Sequence, residues 1–174
     1  MDILNFWLPC GFLVIASFLL VILTVIDLKV WLLPNKYVFP FGALGIAFHA
    51  TTSFAYMDGP NMFLGLLAGG GILLAIRTIA NGIYKTDTLG LGDVKLMAAA
   101  GLWLGLNGVI LSLILGASAG IVHGFFYWAH LNFYKKQKTG FRKLKMPAGP
   151  GFIAGIILAG FLPTFGILTP FFGY

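Results

Sequence analysis

A chain of 174 residues that is 59% hydrophobic and 9% charged is no soluble globular domain, in which about a quarter of residues are charged. Its net charge of +6 rests on eleven basic and five acidic residues, every acid being aspartate. The single cysteine, Cys10, excludes an intrachain disulfide and a multi-cysteine zinc site and reads as a small buried apolar residue.

Apolar runs near the roughly 20 residues that span a bilayer recur along the chain. In order they cover residues 6–26, 37–56, 62–80, 108–131 and 151–170, with a shorter run at 94–106 between the third and fourth. As a helix the short run rises only about 20 Å. It is either a short helix reaching water at one end or the first arm of a bent hairpin. Counted as a crossing, it makes six. The expected fold is therefore all-α: a single membrane-embedded domain over residues 1–174, six transmembrane helices, the fourth of them short. The N-terminal run has Asp2 and no Lys or Arg before it, so it reads as a retained helix and not a signal peptide.

Charge placement supports six. The loops after the first, third and fifth runs hold Lys29 and Lys36, then Lys85 and Lys95, then Lys135, Lys136, Lys138, Arg142, Lys143 and Lys145. Arg77 can snorkel to the same side. The positive-inside rule makes these loops cytoplasmic and both termini extracytoplasmic, in a multi-pass protein of the inner (cytoplasmic) membrane. Dropping the short run would send the last basic cluster to the far side. That cluster reads as an orienting, lipid-headgroup-contacting loop, with no nucleic-acid role.

Between the runs, Pro34-Asn35 stops one helix and starts the next, and Asp58-Gly59-Pro60-Asn61 makes a tight outer turn. Glycines pair at Gly65/Gly69, Gly101/Gly105, Gly116/Gly120 and Gly151/Gly155. That small-xxx-small spacing lets membrane helices approach closely.

The acids carry the chemistry. A carboxylate beside a membrane run is costly and marks a functional site by default. Asp93, in Gly90-Leu91-Gly92-Asp93-Val94-Lys95, has a structural role open to it as a helix N-cap, but capping explains neither Gly90 and Gly92 nor Asp27. Asp27 ends the first helix, where the helix dipole disfavours a carboxylate; pairing with Lys29 or another cation is its structural alternative. The topology puts both acids at one face and depth, so they could meet across the bundle. Two carboxylates a few ångström apart cannot both ionise easily and share a proton, which suits acid–base hydrolysis. Asp87, between two threonines in a polar loop, reads as solvated or turn-forming. His49, His123 and His130 show no metal-ligand spacing and read as interhelical hydrogen-bonding groups. No metal or cofactor is expected.

Asp27-Leu28-Lys29 followed by Leu33-Pro34-Asn35, together with Gly90-Leu91-Gly92-Asp93-Val94-Lys95-Leu96, closely resembles the type IV prepilin peptidases, membrane aspartic peptidases of the GxGD type. The Gly- and Trp-containing stretch 97–105 and Pro147-Ala148-Gly149-Pro150 extend the resemblance over essentially the whole chain. It implies an aspartic endopeptidase that removes the leader from type IV pilin-like precursors at the cytoplasmic face. Asp27 and Asp93 would be the catalytic pair, with Gly90, Gly92, Lys95, Pro34 and Asn35 supporting the site. Longer members carry an N-terminal domain with paired cysteines and also methylate the product. This chain starts at its first helix with one cysteine, so methyl transfer is not expected, and it resembles the short, peptidase-only forms that serve Flp/Tad-type pili, or archaeal preflagellin peptidases. A presenilin-like intramembrane protease shares Gly-x-Gly-Asp, but no Pro-Ala-Leu element is present. A small cation- or proton-coupled transporter would need its acids near mid-membrane.

Overall fold

In a computed structural model, residues 3–133 and 148–161 are described, and they are helical: α1 Ile3–Val30, α2 Asn35–Thr51, α3 Gly59–Tyr84, α4 Leu91–Phe133 and α5 Gly149–Phe161. The last basic loop from 134 to 147, both termini and the last part of the sixth predicted run lie outside the described residues. Apolar side chains such as Val14, Phe18, Val21, Ile79 and Ile83 stand exposed on the outer helix faces. That is the inverse of a soluble surface and suits contact with lipid. Three helical runs, Trp7–Val30, Gly59–Tyr84 and Leu91–His130, are long and apolar enough to cross a membrane.

The third of these is not straight. Gly105 adopts φ 66°, ψ −171° within α4, a region open essentially to glycine alone. A Cβ placed on Gly69 would meet both the Met97 backbone and, at 2.9 Å, Val109 Cγ2. In one straight helix those two residues would stand about 18 Å apart, so the chain doubles back at Gly105. The short predicted run is thus the first arm, residues 91–104, of a bent hairpin, and residues 106–133 form the second. Asn61, from the predicted outer turn, accepts a hydrogen bond from the Leu106 amide at 3.0 Å, supplying a partner for a donor that the break takes out of the helical ladder. With this break the described residues contain six helical segments.

The glycine pairs line the closest seams. Gly65 sits against the backbones of Gly101 and Gly105, and Gly155 against those of Ser112 and Gly116. One pair needs correction: Gly101/Gly105 is no stripe along one helix, because Gly105 is the bend itself. Gly120 has no neighbour within 4 Å of a Cβ built on it.

The hairpin is the hub of the fold. Its first arm packs on α2 through Gly42 and Gly45, which face Ala99 and Trp103, and Trp103 Nε1 donates to the Phe41 carbonyl at 2.8 Å. The second arm carries α5. Leu23, Phe41, Leu96, Met97 and Ile153 belong to the buried core between these elements.

The second predicted run is shortened. It was expected to continue helical to residue 56, but α2 ends at Thr51. There Thr52 turns its hydroxyl back onto the Phe48 carbonyl at 2.9 Å, and Ser53 and Phe54 take positive φ of 52° and 57°. Two successive left-handed residues take the chain out of the helix, and the hydroxyl only caps the carbonyl this leaves.

Candidate active site

Asp27 lies in the last turn of α1 and is 5% exposed. The next residues leave the helix: Trp31 takes φ 57°, and its amide still bonds the Asp27 carbonyl at 2.9 Å. The Asp27 carboxylate turns inward to the start of α5, where the Gly149 amide donates to Oδ2 at 3.1 Å. A helix start offers unpaired N–H groups to an anion, so α5 supplies the compensation that the C-terminal end of α1 withholds. Pairing with Lys29 is not what holds it; Lys29 is exposed. A Cβ on residue 149 would sit 2.6 Å from Asp27 Oδ2. Only glycine fits.

Asp93 occupies the first turn of α4 and is 7% exposed. The helix starts at Leu91, so Asp93 does not take the N-cap position. Its carboxylate instead turns back toward Gly90, whose backbone acts on it electrostatically, in the manner of an acid in the first turn of a capping box. The capping role and the site role therefore coexist. Oδ1 is buried with no hydrogen-bond partner, and Asp27 acts on Asp93 electrostatically. The two acids, far apart in the chain, converge at one buried place.

The supporting residues converge too. A Cβ on Gly92 would lie 2.8 Å from Leu33 Cβ, so the glycine lets the start of α4 rest on the buried Leu33. Pro34 holds the N-cap of α2 with φ −68° and ψ 132°. Lys95 Nζ donates to Asn35 Oδ1 at 3.1 Å, tying the first turns of α2 and α4 together. Gly90 stands beside Asp93, where an added Cβ would be 3.0 Å from Oδ2.

Asp87 is placed elsewhere. Its side chain is 81% exposed and ion-paired with Arg77 at 2.7 Å, in keeping with a loop role. Arg77 therefore does more than snorkel to the interface. Of the histidines, His49 is buried and its Nε2 stands 3.4 Å from the Trp103 carbonyl, an interhelical bond of the expected kind; His123 is exposed. Among the described residues no group of three or more His, Cys, Asp or Glu is gathered for a metal. Two features escaped the sequence reading: Gly149 as a direct partner of Asp27, and Arg77 with Asn81 as holders of the loop before Asp93. The Pro-Ala-Gly-Pro stretch was the available signal for the first. No local pattern signals the second.

A helical membrane protein with two buried aspartates, one acting electrostatically on the other, is the class that fold and site define. Residues 13–125 match the type IV leader peptidase family, and the chain belongs to that family. It is 34% identical over 120 residues to the prepilin leader peptidase/N-methyltransferase of Pectobacterium carotovorum, covering 67% of this chain and 42% of that one. It is 34% identical over 99 residues to the protein of the same name from Escherichia coli K12, covering 57% and 43%, and 30% identical over 118 residues to that of Xanthomonas campestris, covering 68% and 40%. The chain thus spans about two fifths of the length of these curated relatives. No solved structure matches it.

Proposed function

We propose that this protein is an aspartic endopeptidase that removes the leader from type IV pilin-like precursors at the cytoplasmic face of the inner membrane. The observation that carries this reading is the convergence of Asp27 and Asp93 in one buried site, within a chain whose relatives are named prepilin leader peptidases. The pair shares one proton. Its ionised member takes a proton from water, whose oxygen attacks the scissile carbonyl carbon. Its protonated member donates to that carbonyl oxygen. Collapse of the tetrahedral intermediate breaks the C–N bond: the leaving amine takes up the proton first drawn from water, and a hydroxyl of the intermediate returns its proton to the other carboxylate, which restores the singly protonated pair. The buried Asp93 carboxylate, with the charge of Asp27 acting on it, suits the member that holds the shared proton.

In this reading the chain crosses the membrane six times with both termini outside, and the site lies where a cytoplasmic leader meets its membrane segment. Asp27 near the end of α1 and Asp93 in the first turn of α4 suit chemistry at a membrane face better than a mid-membrane ion path. The relatives' names also include N-methyltransferase. For these 174 residues we propose peptidase action without methyl transfer, as in the short forms serving Flp/Tad-type pili, since their single cysteine cannot form a paired-cysteine site.

Coexpression with a tagged type IV pilin-like precursor tests both parts. The expected product is the precursor shortened by its leader, with a free, unmethylated N-terminus by mass even with S-adenosylmethionine supplied. An intact precursor beside normally inserted protein would overturn the peptidase reading. A methylated product formed by the purified protein would overturn the second.

A further inference from the structure

The loop that delivers Asp93 has little core beneath it. Residues 85–88 are exposed and Leu89 is half-buried. Two side chains one turn apart on α3 hold it instead. Asn81 donates from Nδ2 to Asp87 Oδ1 at 3.2 Å, and its Oδ1 accepts from the Thr88 amide and the Thr88 hydroxyl, each at 2.9 Å. Arg77 donates through one guanidinium nitrogen to Asp87 Oδ1 at 2.7 Å and through the other to the Leu89 carbonyl oxygen.

That carbonyl belongs to the Leu89–Gly90 peptide group, and Gly90 lies against the Asp93 carboxylate, an added Cβ standing 3.0 Å from Oδ2, where its backbone acts on the acid electrostatically. A peptide unit is planar and rigid. Fixing its oxygen therefore fixes the direction in which its N–H points. A cation on the carbonyl also polarises the group, and hydrogen bonds in series strengthen one another. Arg77 is mostly covered, its side chain 17% exposed, whereas its partner Asp87 is 81% exposed. The carbonyl contact thus lies on the sheltered side, and the ion pair on the wet side contributes little.

We propose that Arg77 is a positioning residue for Asp93. It acts through the Leu89–Gly90 peptide plane, and Asn81 secures the same loop. This rests on the reading of Asp93 as a catalytic acid. Arg77 touches neither the acids nor the scissile bond, so its loss should lower kcat and leave KM nearly unchanged.

The test compares Arg77→Ala, Arg77→Lys and Asp87→Asn in the full-length, membrane-reconstituted protein, by amide exchange over residues 85–93 and by initial rates on a tagged precursor. In Arg77→Ala, exchange of this segment should rise at least about fivefold, with the helices unchanged, and kcat should fall by roughly tenfold to a hundredfold, the scale of an ångström-sized misplacement. Arg77→Lys, which keeps one cationic donor but not the two-pronged fork, should recover part of both. Asp87→Asn should stay within about twofold, as the loss of an exposed ion pair does. Exchange unchanged in Arg77→Ala overturns the proposal. So does a loosened loop with kcat intact, or a loss carried by KM. If the wild-type protein cleaves no precursor, the peptidase reading fails, and the exchange result alone decides whether Arg77 holds the loop.

Discussion

The glycine seam between α3 and α4 and the acid site at the end of α1 are built on opposite terms. Along the seam, Gly65, Gly69 and Gly101 bring backbone against backbone so closely that an added methyl would strike carbonyl groups. At the site, buried polar atoms are left incompletely answered: Asp93 Oδ1 has no partner, and Asp27 Oδ2 has one bond from Gly149. The seam holds the bundle in shape, and the site keeps capacity for a ligand. A buried, unsatisfied carboxylate costs stability, so its place in the fold is not explained by packing. It follows that changes in the seam should damage folding first and activity in consequence, whereas changes at the acids should do the reverse.

The largest effect on activity should come from Asp27→Asn and Asp93→Asn. Each should lower precursor cleavage by about a thousandfold or more, near the upper range for a lost general acid or base, with membrane insertion at wild-type level. If either variant cleaves normally, the acids are not the working pair and the comparison breaks at its functional end. Next is Gly101→Ala, whose methyl would meet the Gly65 carbonyl. Overpacking of a tight interface costs about 1–3 kcal/mol, so a clear drop in thermal midpoint is expected in detergent. A wild-type midpoint would show that the seam yields easily.

Gly149→Ala joins the two regions, since it adds a methyl at a helix start, where alanine is otherwise well tolerated, but 2.6 Å from Asp27 Oδ2. Cleavage should fall by roughly tenfold or more by displacement of the acid, with little change in thermal midpoint. Loss of folded protein in the same proportion would place Gly149 with the seam instead. The smallest effect is expected for Lys95→Ala. Its bond to Asn35 is exposed and water can replace it, so the rate should change by about twofold or less. A hundredfold loss would make Lys95 part of the machinery.

What was legible in the sequence follows the range of the interactions concerned. Helix positions were plain, because apolar runs at membrane length are a property of consecutive residues. The acids stood out because a carboxylate next to such runs is rare and costly. The end of α2 was missed because Phe54, Ala55 and Tyr56 extend the apolar run, while the left-handed backbone at Ser53 and Phe54 has no signal in composition. Gly105 was read as half of a packing pair because spacing alone cannot separate a glycine that packs from one that bends; the φ of 66° makes it the bend. The partner of Asp27 lay beyond reach of any local pattern, since the bond to Gly149 forms only when α5 folds back onto α1. The same holds for Arg77, whose acceptor is a backbone carbonyl and leaves no mark in sequence.

The central claim is that Asp27 and Asp93 work as one unit, and a double-mutant comparison tests it most directly. Initial rates on the tagged precursor, in reconstituted membranes, would be measured for Asp27→Asn, Asp93→Asn and the two combined. Residues that act together lose most of their effect at the first substitution, so the double variant should be about as slow as the slower single one. Two partial losses that multiply in the double variant would show independent roles and contradict the dyad.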